Sequence, residues 1–328
     1  MSKKNKRESR YNGLLVVDKE QNMTSQDVVN VVRRVANTRR IGHTGTLDPL
    51  ATGLMILLIG EATKLSEYLI IRDKVYEGAM LLGRRSNTYD VDGDVEILTA
   101  SPSVTLLQLQ ELAAKATGNI LQTPPPYSAV KIDGKKLYEY ARAGEIVEAE
   151  ARPVRVDEFS ILSLEGNRAT FRIACSSGTY VRTLVHELGI AAGCGALVSE
   201  LRRTRIEDFT LEESITLAEL KTKSVEELEE YILPMMDALT AWPIFYLGEE
   251  GKNWILKGQA IPERLAQMDT ESTAPKLNDL IYLCPLGGDA LAIGQLMAAP
   301  PSNPPAALKT LVGRWIQPIK LLVSTSTD

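Results

Sequence analysis

Short apolar runs alternate with polar, glycine-bearing connections along this chain, and the spacing of the apolar positions sets the expected elements. Gly13-Leu14-Leu15-Val16-Val17-Asp18 is an unbroken apolar run ending in a polar turn, the pattern of a buried strand. Thr24 and Ser25 then supply a helix cap, and Val28, Val31, Val32 and Val35 follow the i, i+3, i+4, i+7 rule of an amphipathic helix. After a polar loop, the run from Leu54 to Ile59 suits either a central strand or the start of a buried helix. Further strands are expected at 75–82, 118–122, 152–162, 168–175 and 196–203, and helices at 61–70, 104–117, 134–143 and 180–192. Strands and helices mixed without a strict βαβ rhythm imply an α/β (α+β) fold, with a large mixed, mostly antiparallel sheet flanked by helices.

The last eighty or so residues are patterned differently. Short strands are expected at 280–284, 290–296, 311–316 and 319–323, separated by turn-rich stretches that include the proline-rich segment 298–305. That spacing favours a small C-terminal β-barrel or sandwich. The 328 residues suffice for two domains. The expected organisation is a basic tail over 1–12, a large domain over 13–245, a small one over 246–323 and a tail over 324–328.

Charge changes this picture by where it sits. The net charge of −5 excludes a uniformly basic nucleic-acid binder. Yet residues 1–60 carry +5 and residues 207–250 carry −10, so the acidity is confined to one stretch. Val225, Leu228 and Ile232 within it predict a solvated helix face. Three cysteines (Cys175, Cys194, Cys284) and two histidines (His43, His186) are too few and too scattered for a disulfide framework or a zinc site. No phosphate-cradling glycine motif is present, so no metal and no cofactor are expected and the chemistry falls to side chains. No apolar run reaches the roughly 18 residues of a membrane span, and the first residues lack a signal-peptide core, which points to a cytoplasmic protein without a membrane partner.

The densest chemical signal is the segment 39–53. Gly42, Gly45 and Gly53 allow sharp bends, and Pro49 biases Asp48 toward extended geometry. A lone Asp-Pro would read as a turn stabiliser. This loop also carries Arg39, Arg40 and His43, which moves the reading toward a site.

The string Gly42-His43-Thr44-Gly45-Thr46-Leu47-Asp48-Pro49-Leu50-Ala51-Thr52-Gly53 closely resembles the catalytic motif of the TruB family of tRNA pseudouridine synthases. Lys74-Val75-Tyr76-Glu77-Gly78, Pro125-Pro126-Tyr127-Ser128-Ala129-Val130-Lys131, Ser176 through Leu184 and Leu201-Arg202-Arg203-Thr204 resemble further family segments in the right order. Gly288 through Gly294 resembles part of a PUA domain, a small RNA-binding barrel. Two places depart from the pattern: Glu20-Gln21-Asn22 follows Asp18-Lys19, and Ser86-Asn87-Thr88-Tyr89-Asp90 replaces the usual T-D-T-x-D, losing one acid. Asn22 tolerates left-handed geometry, so the first turn is expected to survive.

The resemblance implies a pseudouridine synthase fold and an isomerase, an intramolecular transferase, that acts on the T-loop uridine of tRNA, position 55 by the family's usual substrate. It gives Asp48 the nucleophile's place at the anomeric carbon, as in retaining glycosidases. Two routes remain open, a glycosyl-aspartate and a glycal. The resemblance nominates Arg182 as the partner that keeps the carboxylate ionised, bidentately, as lysine would not. Tyr76 becomes the aromatic at the base, with a proton-transfer role open to its hydroxyl. Tyr180 orders the pocket, Leu201 is an apolar wall, and His43 props the stack vacated by the flipped base. His186 reads as a structural helix residue. Residues 124–152, in which Tyr127, Tyr138 and Tyr140 interleave with Lys131, Lys135, Lys136 and Arg142, are expected to grip RNA. The expected partner is the tRNA T-arm, bound by a monomer without guide RNA. The alternative is a non-catalytic RNA-folding factor on the same scaffold.

Overall fold

Two apolar runs near the start of the chain become neighbouring strands because each has two faces to bury. In the computed structural model, which describes residues 10–323 apart from 146, 148, 303 and 309, these runs are β1 (Gly13–Lys19) and, after a short β2 (Ile41–His43), β3 (Thr52–Ile59). Residues 1–9 of the basic tail and the tail 324–328 lie outside the described residues. Leu15, Val17, Met55, Leu57 and Ile59 enter one core, while Leu14, Val16, Leu54, Ile56 and Leu58 enter a second on the opposite face. Period-two alternation into two cores is why 54–59 is a strand and not a helix start. Between β1 and β2 lies α1 (Ser25–Val35), closed by a capping box between Thr24 and Asp27 and burying Val28, Val29, Val31 and Val32.

The longer strands of the sheet continue with β4 (Lys74–Leu82), β5 (Gly118–Gln122), β6 (Arg152–Glu165), β7 (Arg168–Cys175) and β8 (Ala196–Ile206), in the order β1-β3-β8-β4-β7-β6-β5. Helices α2 (Leu106–Lys115), α3 (Leu137–Arg142) and α4 (Val181–Ala191) accompany it. Neighbours along this path are antiparallel except β3 and β8, which run parallel with Thr52 beside Arg202 and Gly53 beside Arg203. Gly53 has φ +99°, and a Cβ there would sit 2.3 Å from the Arg203 carbonyl oxygen. Only glycine lets these two strands approach so closely.

The C-terminal strands are β9 (Ile244–Leu247), β10 (Ile261–Pro262), β11 (Ala266–Met268), β12 (Leu280–Pro285), β13 (Ala292–Met297) and β14 (Trp315–Leu321). They form a second sheet, β10-β14-β13-β12-β9-β11, curled into a nearly closed barrel. It is fastened to the first body: the Asp289 carboxylate accepts from the Met235 and Met236 N–H groups at 2.8 and 2.9 Å, and the Tyr282 hydroxyl donates to the Met235 carbonyl at 2.9 Å.

Several expected elements change form. The separate strands 311–316 and 319–323 are one strand, β14, because a register shift at Ile293/Gly294 accommodates Pro318, which has no N–H to give. The helix expected over 61–70 is a 3₁₀ segment, Gly60–Leu65, leading into the single turn Ser66–Leu69. Within 134–143 the helix starts only at Leu137, after a hairpin pairing Lys131–Ile132 with Lys135–Lys136 across left-handed Asp133 and Gly134. The solvated helix face expected around Val225, Leu228 and Ile232 is instead a short 3₁₀ turn, Glu227–Tyr231. Leu228 is buried, and Ile232 begins a two-residue strand beside Leu15 before Pro234. Among the described residues no helix is long and apolar enough to cross a membrane.

Candidate active site

The connection from β2 to β3 carries Asp48, and buried donors hold its carbonyls from below. Arg203, on β8, is fully buried and donates from Nε to the Leu54 carbonyl at 2.8 Å and from Nη2 to the Gly45 carbonyl at 3.2 Å. Lys19, at the end of β1, donates to the Ala51 and Glu20 carbonyls at 2.6 and 2.8 Å. Ser25 exchanges hydrogen bonds with the Leu47 backbone, its hydroxyl donating at 3.1 Å and accepting at 2.8 Å. The loop is therefore built into the joint between β3 and β8. Asn22, at φ 63°, donates its N–H to the Pro49 carbonyl at 2.9 Å, so the atypical lead-in after β1 still reaches this loop.

Arg182, near the start of α4, meets Asp48 in bidentate fashion, Nε to Oδ2 at 2.8 Å and Nη2 to Oδ1 at 3.2 Å. The same guanidinium donates to the Thr88 carbonyl at 2.6 Å and the Tyr127 carbonyl at 3.1 Å, and its Nε lies 3.5 Å from Asp90 Oδ2. The Arg182 side chain is 5% exposed and that of Asp48 39%, so the cation lies behind a carboxylate that faces outward. Asp90 is buried, and desolvation pushes its carboxyl above the usual range, against the Thr88 hydroxyl and the Arg182 charge.

The other expected residues fall around this pair unequally. Tyr76 lies on β4 opposite Arg203, and burial pushes its phenol up while Arg203 pulls the other way. Leu201 is buried on β8 beside Gly78. His43 ends β2; its Nδ1 accepts from the Gly45 N–H at 3.3 Å, and burial, aided by Arg203, lowers its pKa, favouring a neutral ring. Tyr180 caps α4, its backbone held at both ends by the Gln122 side chain at 2.7 and 3.1 Å. Lys131 is exposed in the hairpin and, among the described residues, shares no hydrogen bond with the Asp48 group; the Tyr127 carbonyl links that segment to Arg182. Lys135 and Arg142 stack on Tyr140 and Tyr138, at 4.1 and 5.4 Å from the ring centroids.

Sequence reasoning left Asp90, Arg203 and Lys19 without roles. Asp90 was visible as the surviving acid of the atypical 86–90 segment, and Arg203 as the second arginine of Leu201-Arg202-Arg203-Thr204. Burial lowers the Lys19 ammonium to about 8, partly offset by Asp48, and lowers Lys74 to about 8. Cations thus crowd the underside of the loop.

Residues 33–181 match the N-terminal domain of the TruB family pseudouridylate synthases, and residues 182–240 match the tRNA pseudouridylate synthase B C-terminal domain. The tRNA pseudouridine synthase B of Pseudomonas putida is 44% identical over 253 residues, spanning 76% of this chain and 83% of that protein. This chain belongs to the TruB family. Another family member, tRNA pseudouridine synthase B of Aeromonas salmonicida, is 42% identical over 259 residues, covering 76% of this chain and 81% of its own. Among solved structures, a chain of an H/ACA ribonucleoprotein bound to a substrate RNA superposes with TM-score 0.69 at 24% identity, over 96% of this chain and 86% of that one. A chain of a Cbf5–Nop10–Gar1 complex gives 0.68 at 26%, over 95% and 85%. The family match thus runs over residues 33–240, and the likeness in fold to these two solved chains covers nearly the whole chain.

Proposed function

We propose that this TruB family protein isomerises uridine to pseudouridine in tRNA, at the T-loop position 55, with Asp48 acting at the anomeric carbon. The observation that carries the reading is the buried Arg182 guanidinium clasping both oxygens of an outward-facing Asp48. The bond from C1′ to N1 breaks, the freed uracil rotates, and C1′ bonds to C5; C5 then loses a proton and N1 gains one. Reactant and product are isomers, so the reaction consumes no redox partner. A carboxylate oriented by the Arg182 fork stabilises positive charge developing at C1′ or attacks it. Tyr76 offers a flat face to the uracil, and its hydroxyl is the group open to a proton-transfer role. Tyr180 and Leu201 shape the pocket, and His43 stands in for the extruded base.

The partner in this reading is the tRNA T-arm, bound without guide RNA by a cytoplasmic monomer. The segment 124–152, with Lys131 at its hairpin, grips the backbone, and the barrel of residues 246–323 adds an RNA-binding surface to the catalytic domain of residues 13–245. The test is purified protein with an unmodified tRNA transcript and no guide RNA, followed by chemical mapping of pseudouridine. Product at the T-loop is expected, and Asp48→Asn abolishes it. Absence of product sinks the reading. Tight tRNA binding with no turnover would favour the RNA-folding alternative.

A further inference from the structure

Tyr89 has a left-handed backbone, with φ 64°. That region crowds Cβ against the neighbouring carbonyl, and a bulky aromatic occupies it rarely. Tyr89 lies between the two residues of this segment that approach Arg182, namely Thr88 through its carbonyl and Asp90 through its carboxylate. Its backbone is tied on both sides. Its N–H donates to the Ser86 carbonyl at 3.3 Å, and its own carbonyl accepts from the Val198 N–H at 3.0 Å. The reversal at Tyr89 is what lets a carbonyl and a carboxylate so close in sequence converge on one guanidinium.

The ring of Tyr89 is held by His186. The two rings are parallel to within 7°, with centroids 3.8 Å apart. His186 lies one helical turn after Arg182 on α4, so the helix that presents the guanidinium also presents the ring. Its Nδ1 is buried, with no hydrogen-bond partner among the described residues. A buried imidazole nitrogen is usually paired. Here the ring contributes its face.

We propose that the Tyr89–His186 stack is a positioning device: it keeps Tyr89 in its left-handed turn and so holds Thr88 and Asp90 against Arg182. The inference rests on Asp48 and Arg182 being the catalytic pair. In this reading His186 acts through Tyr89, against whose ring it stacks.

The experiment compares single-turnover rate, tRNA Kd and melting temperature for His186→Ala, His186→Phe, Tyr89→Gly and Tyr89→Phe, with Asp48→Asn alongside. His186→Ala and Tyr89→Gly are expected to slow turnover about tenfold to a hundredfold, the scale of a slight misplacement of reacting groups, with tRNA Kd unchanged. The phenylalanine variants keep two flat faces and are expected to run close to the wild-type rate. Tyr89→Gly also removes the left-handed crowding, so a purely structural role would leave its rate intact once it is folded. A wild-type rate for folded His186→Ala or Tyr89→Gly overturns the proposal, as does a slow His186→Phe. If His186→Ala does not fold, Tyr89→Gly decides. Wild-type turnover in Asp48→Asn would instead sink the catalytic-pair reading itself.

Discussion

Arg182 meets Asp48 edge to edge, its Nε and Nη2 lying 2.8 and 3.2 Å from the two carboxylate oxygens while Nη1 reaches the Thr88 carbonyl. A lysine keeps the charge but not the fork, and cannot serve the carboxylate and the Thr88 and Tyr127 carbonyls together. Arg182→Lys is therefore expected to lower single-turnover pseudouridine formation by about a hundredfold or more. Filter binding should show tRNA affinity nearly unchanged. Rates equal to wild type would mean the fork is dispensable.

Arg203 supports the same loop from beneath. Replacing it with methionine fills similar space but leaves the Leu54 and Gly45 carbonyls without their buried donor. Arg203→Met is expected to cost about 2–4 kcal/mol in urea unfolding. Turnover should also fall at temperatures where the variant is fully folded, because Gly45 lies three residues before Asp48 in the loop.

Gly53 and Gly118 separate steric from conformational effects. Both have positive φ, but a Cβ at Gly53 meets the Arg203 carbonyl oxygen at 2.3 Å, whereas at Gly118 nothing lies within 4 Å. Gly118→Ala should cost about 1–2 kcal/mol from left-handed geometry alone. Gly53→Ala should cost clearly more, because β3 and β8 must separate. Similar urea midpoints for the two variants would contradict this account of the strand joint.

Lys74 gives a pH dependence whose sign follows from burial. Its folded-state pKa is lowered to about 8 from 10.5, so between these values the unfolded chain binds the extra proton. Stability contributed through this residue therefore rises with pH across that window and is flat below it. Relative to Lys74→Met, the wild type should gain at most about 1.4 kcal/mol per pH unit between pH 8 and 10. Denaturation series at several pH values would reveal a flat difference if the ammonium were solvated.

The hairpin segment predicts a salt effect. Lys131→Ala combined with Lys135→Ala should weaken tRNA binding and reduce the slope of log K against log salt by about 0.7–0.9 for each phosphate that is no longer neutralised. An unchanged slope would remove these lysines from the RNA interface.

Much of this architecture was legible in the chain because its causes are local. The valines of α1 repeat at helical spacing behind a cap at Thr24, and both appear as expected, with Asp27 completing the cap in the structure. Segments 118–122 and 168–175 are strands with those same bounds. Where expectation failed, the cause was non-local. Ile232 was drawn from a helical pattern into a strand by Leu15, and Pro318 was absorbed into β14 by a bulge beside its neighbour β13. Asp90 was overlooked because its segment departs from the family pattern, while its significance lies in a guanidinium on a distant helix.

By itself, then, the sequence determined the strands and helices whose periodicity is local, the loop around Asp48, and the motifs that mark a TruB protein. Only the tertiary structure decided which groups meet there. Asp48 and Arg182 are 134 residues apart, and Thr88 and Tyr127 come from two further segments. Their convergence depends on β3 and β8 running parallel at Gly53, on Arg203 filling the joint, and on α4 placing both Arg182 and His186 against residues 88–90. Periodicity encodes which face of an element is buried. It does not encode which distant element buries it, and that is where the geometry of this site arises.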